Sequence, residues 1–282
     1  MIHPTAIIEK GAKIGKNVEI EPYVVIKKNV VIEDGVQIKA HVYIDGYTHI
    51  GEDTVIYPSA VIGTKTQARK FQGEKTSVRI GKRCEIREFV QINSSFGEDS
   101  VVSVGNDCLI MACCHVAHHC TLGNNVILSN NVALAGHVEI EDHAIIGGAT
   151  PIHQNVRIGR HAMVGGLTRI GNDVPPFTIG GDIPFRLAGL NLVGLKRHGF
   201  SLELRKALSQ AFRLIFRSNL SLTVALDRIE NELSPYEEVK HFVKFCRDSE
   251  RGIIGLAKQP DNKDERLELD ESQQERVLKN QS

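Results

Sequence analysis

Ile14-Gly-Lys-Asn-Val18-Glu-Ile20-Glu-Pro-Tyr-Val24-Val-Ile26-Lys-Lys-Asn-Val30-Val-Ile32 carries two aliphatic combs of the same period. Ile14, Ile20, Ile26 and Ile32 recur every sixth residue, and Val18, Val24 and Val30 form a second series four residues behind the first. Extended in both directions, the first comb runs from Ile2 to Ile170 through 29 positions, and 26 of them are Ile, Leu or Val. Ala68, Glu74 and Glu98 are the exceptions. The second comb, from Ala6 onward, holds mostly Val, Ala, Thr and Cys, and glycine often follows the first comb, as at Gly15, Gly51, Gly81, Gly105 and Gly123. Such a period is neither that of a helix nor that of simple strand alternation. It marks short strands separated by turns of fixed length, the pattern of a hexapeptide β-helix.

Three hexapeptides make one triangular coil of about 18 residues, and residues that far apart stack at the inter-strand spacing of roughly 4.8 Å. The expected repeat domain covers residues 1–184, with about ten coils. No coil buries its inner face alone; the stack does so. The combs lapse over residues 64–76 and again around Asn93–Ser100, and both times the register resumes in phase. Two loops leaving a corner of the prism are therefore expected, and rigidly held loops are where function concentrates.

Beyond Pro175-Pro176 the period becomes helical. Leu204, Leu208, Ala211, Phe212, Ile215 and Phe216 share one helical face; Leu222, Leu226, Ile229 and Leu233 share a second; Val239, Phe242, Val243 and Cys246 share a third. Ser234-Pro235 reads as a cap followed by a first-turn proline. A small helical domain over residues 185–257 follows, and residues 258–282 are expected to be a disordered tail.

The 282 residues carry no formal net charge, so nothing draws the whole chain to nucleic acid or membrane. No apolar run is long enough to span a bilayer, and Met1-Ile2-His3-Pro4 enters the repeat at once, which reads as a cytoplasmic protein without a signal peptide. Cys84, Cys108, Cys114 and Cys120 fall on the second comb and are expected as small buried side chains. Cys113-Cys114 lies near histidines but no C-x-x-C spacing supports a metal site there.

His115, His118, His119, His137, His143, His153 and His161 crowd the later coils, and none is on either comb. They are expected to point outward. His119 and His137, and likewise His143 and His161, should stack on adjacent coils. An outward imidazole suits general-base chemistry near neutral pH. A triangular prism also suits three-fold cyclic assembly, with sites between neighbouring prisms.

Ala112-Cys-Cys-His-Val-Ala-His-His-Cys-Thr-Leu-Gly123, Asn130-Asn-Val-Ala-Leu-Ala-Gly-His137, Ile152-His-Gln154, Met163-Val-Gly-Gly166, Asp173-Val-Pro-Pro176 and Gly194-Leu-Lys-Arg-His-Gly-Phe200 resemble the UDP-N-acetylglucosamine O-acyltransferases that begin lipid A synthesis. The likeness covers about residues 1–257. It implies a left-handed parallel β-helix, a homotrimer, no cofactor and no metal. By resemblance, His118 is the general base that deprotonates the glucosamine 3-hydroxyl for attack on an acyl carrier protein thioester, and the Gly136 N–H stabilises the oxyanion. Gln67, Lys70, His115, His137, His153, Gln154, Asn191 and Arg197 match sugar-nucleotide contacts, and Gly166 matches the position that limits acyl-chain length. The family usually has Asp after the base where this chain has His119, a loop Asp where it has Ala68, Glu where it has Val193, and a second Arg where it has His198. What orients His118 is thus open.

Arg205, Lys206, Arg213 and Arg217 extend a basic run that begins at Lys196 and contains a single acid, Glu203. This patch suits an acidic carrier protein. An ordinary solvated helix face, its charges paired with acids of the next helices, is the plainer reading. Two other functions compete with the transferase: a β-helical zinc enzyme of carbonic anhydrase type, with three histidines on the ion, and a non-catalytic solenoid scaffold.

Overall fold

The computed structural model describes residues 1–233 and 235–255. Residues 2–180 wind into a left-handed parallel β-helix of triangular section. Its strands are mostly two residues long and alternate among three faces. The first face begins with Ile7–Ile8, the second with Lys13–Ile14 and the third with Glu19–Ile20. The first two faces are eight-stranded, and the third reaches ten strands through Thr178–Gly181 and the antiparallel Arg186–Leu190.

Both combs point inward. Ile20, Ile26, Ile32 and Ile38 are buried, as are Val18, Val24, Val30 and Val36. Cys84, Cys108, Cys114 and Cys120 are buried in the same column, their thiols directed at backbone carbonyls; Cys108 Sγ lies 3.1 Å from the Gly123 oxygen. Each corner carries a residue in the left-handed region, including His119 (φ 58°), His137 (φ 59°), His143 (φ 60°), Asn155 (φ 61°) and His161 (φ 55°). Non-glycine residues pay for this conformation with strain, and Asn, Asp and His tolerate it best.

Rungs lie 18 residues apart except at the two lapses. Ile62 pairs with Ile92, 30 residues on, and Ile80 pairs with Val104, 24 residues on. Both intervals are multiples of six, which is why the combs resume in phase. Glu98, an exception in the comb, accepts from the Lys75 N–H (3.2 Å) and so ties the second loop to the first.

Four helices follow: α1 (Leu192–Arg197), α2 (Leu202–Phe216), α3 (Leu222–Leu233) and α4 (Glu237–Arg247). The stretch before α2 is more ordered than its sequence pattern implies. Asn191 caps α1, accepting from the Gly194 N–H, and Ser201 caps α2 in the same way through Leu204. The apolar faces of α2, α3 and α4 pack together around Leu208, Leu226 and Phe242, with Phe177 of the preceding segment in the same cluster. Pro235 lies before the N-cap residue of α4, Tyr236, and not in its first turn; the expected Ser234 cap and the expected disordered tail fall outside the described residues. His241 of α4 reaches back to Glu141 of the prism at 2.7 Å.

Candidate active site

One edge of the prism, between the first and second faces, gathers most of the expected site. Residues 64–76 leave the chain there, between strands Val61–Thr64 and Ser77–Ile80. So does the Asn93–Ser100 segment, between Gln91–Asn93 and Val101–Val104. The next three corners of the same edge bear His118 and His119, then Gly136 and His137, then His153 and Gln154. His118, Gly136 and Gln154 stand in one 18-residue column, and His119, His137 and Asn155 in the next.

The rings confirm the stacking. His119 and His137 lie parallel at 4.2 Å between centroids. His118 meets His137 edge-on at 5.2 Å, and Phe96 from the second loop packs on His118 at 4.8 Å and on His119 at 4.7 Å. The Nδ1 atoms of His118 and His119 are 3.1 Å apart, and Ser95 Oγ is 2.8 Å from His119 Nδ1. Where relatives have a carboxylate beside the base, this chain places an imidazole backed by a buried hydroxyl. Burial lowers the pKa of His118 and His119 first, and the neighbouring His137 lowers both further; the Phe96 carbonyl pulls His119 the other way. Burial alone lowers that of His115. These imidazoles are therefore neutral at pH 7 and able to take a proton.

Gly136 is what lets His118 lie flat on the next coil. A Cβ at Gly136 would stand 2.0 Å from His118 Cε1 and 2.5 Å from Nε2. Its amide is also distinctive. Comparable corner amides are capped by side chains, as Lys16 by Asp34, Ala40 by Glu21 and Arg160 by Glu141. The Gly136 N–H has no protein acceptor among the described residues. A free amide beside a neutral base suits a developing oxyanion.

Thr66, Gln67, Ala68, Asn93, His115, Ala117 and His118 line a cleft of about 160 Å³ under the first loop. Gln67, His115 and His118 thus come together within one chain; Lys70 is exposed and does not line that cleft. His153 is exposed and turns its Nδ1 to the Gln154 carbonyl (3.1 Å). The Asn191 side chain is committed to structure, capping α1 and donating to the His161 carbonyl at 3.1 Å. Arg197 is exposed at the end of α1. Gly166 sits on a different edge, between the third and first faces, flanked by the exposed apolar Met163 and Leu167.

Not every histidine points to solvent. His161 is only 8% exposed, because Phe177, Phe200 and His198 of the later segment cover it. Ser95, Phe96 and Asn93 are neighbours of the site that the sequence pattern does not single out. Their alignment with His119 depends on a 24-residue coil, whose length the lapse at Glu98 hints at but does not determine.

Among the described residues, none of Lys196, Arg197, Arg205, Lys206, Arg213 and Arg217 forms a salt bridge; the acids of α3 pair with Arg228 and Arg247. No described helix is long and apolar enough to cross a membrane.

Residues 102–136 match the bacterial transferase hexapeptide family (six repeats), residues 173–254 match domain 2 of the UDP-N-acetylglucosamine O-acyltransferases, and residues 1–96 match the GMPPB C-terminal domain. Repeat, prism and imidazole-bearing edge together define a hexapeptide-repeat transferase. Proteins of Chlamydia abortus and Chlamydia caviae named acyl-[acyl-carrier-protein]–UDP-N-acetylglucosamine O-acyltransferase are 54% and 55% identical, covering 92% and 95% of this chain and 93% and 96% of their own. Solved structures of a UDP-N-acetylglucosamine acyltransferase from Bacteroides fragilis (41% identity, TM-score 0.87, 90% of this chain and 100% of that one) and of LpxA from Acinetobacter baumannii (36%, 0.86, 89% and 98%) superpose on it. The chain belongs to the acyl-[acyl-carrier-protein]–UDP-N-acetylglucosamine O-acyltransferase family.

Proposed function

We propose that this enzyme transfers an acyl chain from an acyl carrier protein thioester to the 3-hydroxyl of UDP-N-acetylglucosamine, opening lipid A synthesis in the cytoplasm, with His118 as base. The observation that carries the mechanism is the His118 ring lying over Gly136, with its Nδ1 engaged by His119 and a free amide beside it. In the productive tautomer His118 Nδ1–H donates to His119 Nδ1, leaving the Nε2 lone pair for the sugar. Nε2 takes the 3-hydroxyl proton as that oxygen attacks the thioester carbonyl carbon. The Gly136 N–H donates to the resulting oxyanion. Collapse expels the carrier's thiolate, which recovers the proton from His118. His119, backed by Ser95, holds the tautomer that an Asp holds in relatives.

Gln67, His115 and His137 border the base and take the sugar side; Lys70, His153, Gln154, Asn191 and Arg197 serve the nucleotide. Arg197 carries the charge suited to a diphosphate. Gly166 stands on another edge, so a single chain does not place it beside His118. A homotrimer, in which one copy's His118 edge faces a neighbour's Gly166 edge, supplies both. Met163 and Leu167 then offer the acyl chain an apolar track. The unpaired cations of α2 and its approaches, Arg205, Lys206, Arg213 and Arg217, receive the acidic carrier.

The test is product identity. Purified protein is incubated with UDP-N-acetylglucosamine and a panel of acyl carrier protein thioesters, and products are read by mass and by the site of acylation. A 3-O-acyl ester with at least one chain length is expected; no product with any donor would overturn the reading.

A further inference from the structure

A second histidine cluster lies on the edge between the second and third faces and takes no part in the chemistry above. His143 and His161 occupy successive corners, their rings parallel at 4.6 Å. His198, at the C-cap of α1, approaches both at 4.7 Å and 4.8 Å. One ring nitrogen from each lies within 4.8 Å of the other two. Preference for the left-handed corner accounts for the residue type at 143 and 161. It accounts neither for His198 nor for the convergence of all three. The bonding differs from that of the first cluster: there His118, His119 and Ser95 engage one another, whereas no ring nitrogen of His143, His161 or His198 has a hydrogen-bond partner among the described residues. Two charged groups face the cluster, Asp142 and Arg160, with opposing influence on His143 and His161.

We propose that His143, His161 and His198 bind one zinc ion, clamping α1 onto two coils of the β-helix. Three imidazoles suit a borderline cation such as Zn²⁺, with water in the open position. Zn–N distances of about 2.0–2.1 Å require the nitrogens to close to roughly 3.3–3.5 Å. His198, exposed at a helix end, supplies most of that movement. The clamp would fix the end of α1 and with it Arg197.

Zinc is titrated into tag-free, chelator-stripped full-length protein in competition with a chromophoric chelator, and thermal unfolding is followed with and without zinc. One equivalent per chain is expected, with submicromolar affinity and a rise in Tm of several degrees. His198→Ala and His143→Ala are expected to weaken binding at least about 100-fold and abolish the Tm rise, while His119→Ala leaves both intact. His198 is exposed, so its variant keeps the fold, and circular dichroism verifies this. Absence of submicromolar binding, or binding retained in His198→Ala, overturns the proposal. Loss of binding in His119→Ala with retention in His198→Ala places the ion on the first edge and overturns it equally.

Discussion

His118 differs from its neighbours in a way that backbone geometry makes visible. His119, His137, His143 and His161 all occupy left-handed corners, where histidine is a tolerated turn residue whatever the function. His118 does not have a positive φ, so turn preference does not explain it. Gly136 is complementary, since any side chain there collides with the His118 ring. Gly136→Ala is therefore expected to displace the base and lower kcat by about 100-fold, the scale of a misplacement near 1 Å. Steady-state kinetics with a parallel melting curve checks this; a normal kcat would contradict it. The acid limb of activity follows from the lowered pKa of His118. The base is neutral above that pKa and is lost as pH falls through it, so the limb of kcat/KM lies below pH 6.5. His119→Asp places an anion against the imidazole, favours its protonated form and moves the limb to higher pH by about one unit or more. Paired pH–rate profiles decide; a limb that stays in place or moves to lower pH removes His119 from its assigned role.

At the scale of elements, the two loops and the helix α2 were legible to different degrees. Residues 64–76 announce themselves by breaking both combs, and the cleft beneath them contains Gln67, His115 and His118. The second loop announces itself only through Glu98, yet it delivers Ser95 and Phe96 to the base. Sequence spacing alone hid this pairing because the coil is 24 residues long there. For α2, the alternative that its cations pair with acids on the next helices does not hold among the described residues, since Asp227, Glu230 and Glu232 pair with Arg247 and Arg228. An unpaired basic face acts through long-range attraction, which salt screens. Arg213→Glu with Arg217→Glu is expected to raise KM for the acyl carrier protein about 10-fold or more and flatten its salt dependence. KM for UDP-N-acetylglucosamine stays unchanged. Equal effects on both substrates would point to a folding defect instead of docking.

At the scale of the whole molecule, periodicity alone sufficed for the prism. A side chain every sixth residue has a single consistent address, so inside and outside were readable from Ile2 to Ile170, cysteines included. Handedness was not readable that way, because the same period suits either winding; it came with the family. Nor did the pattern reveal that the chain folds back over its own prism and buries His161, since that contact joins segments with unrelated periods. The short helix α1, too brief for a periodic signal, escaped for the same reason. These distant contacts turn a uniform scaffold into three unequal edges. The central claim is that acyl transfer occurs on the edge bearing His118. The most direct measurement is kcat of His118→Ala, with the product read by mass and the fold checked by thermal melting. A fall of about 10²–10⁴-fold is expected, with little change in KM for the sugar nucleotide. A folded His118→Ala enzyme working within tenfold of the wild type would contradict the account.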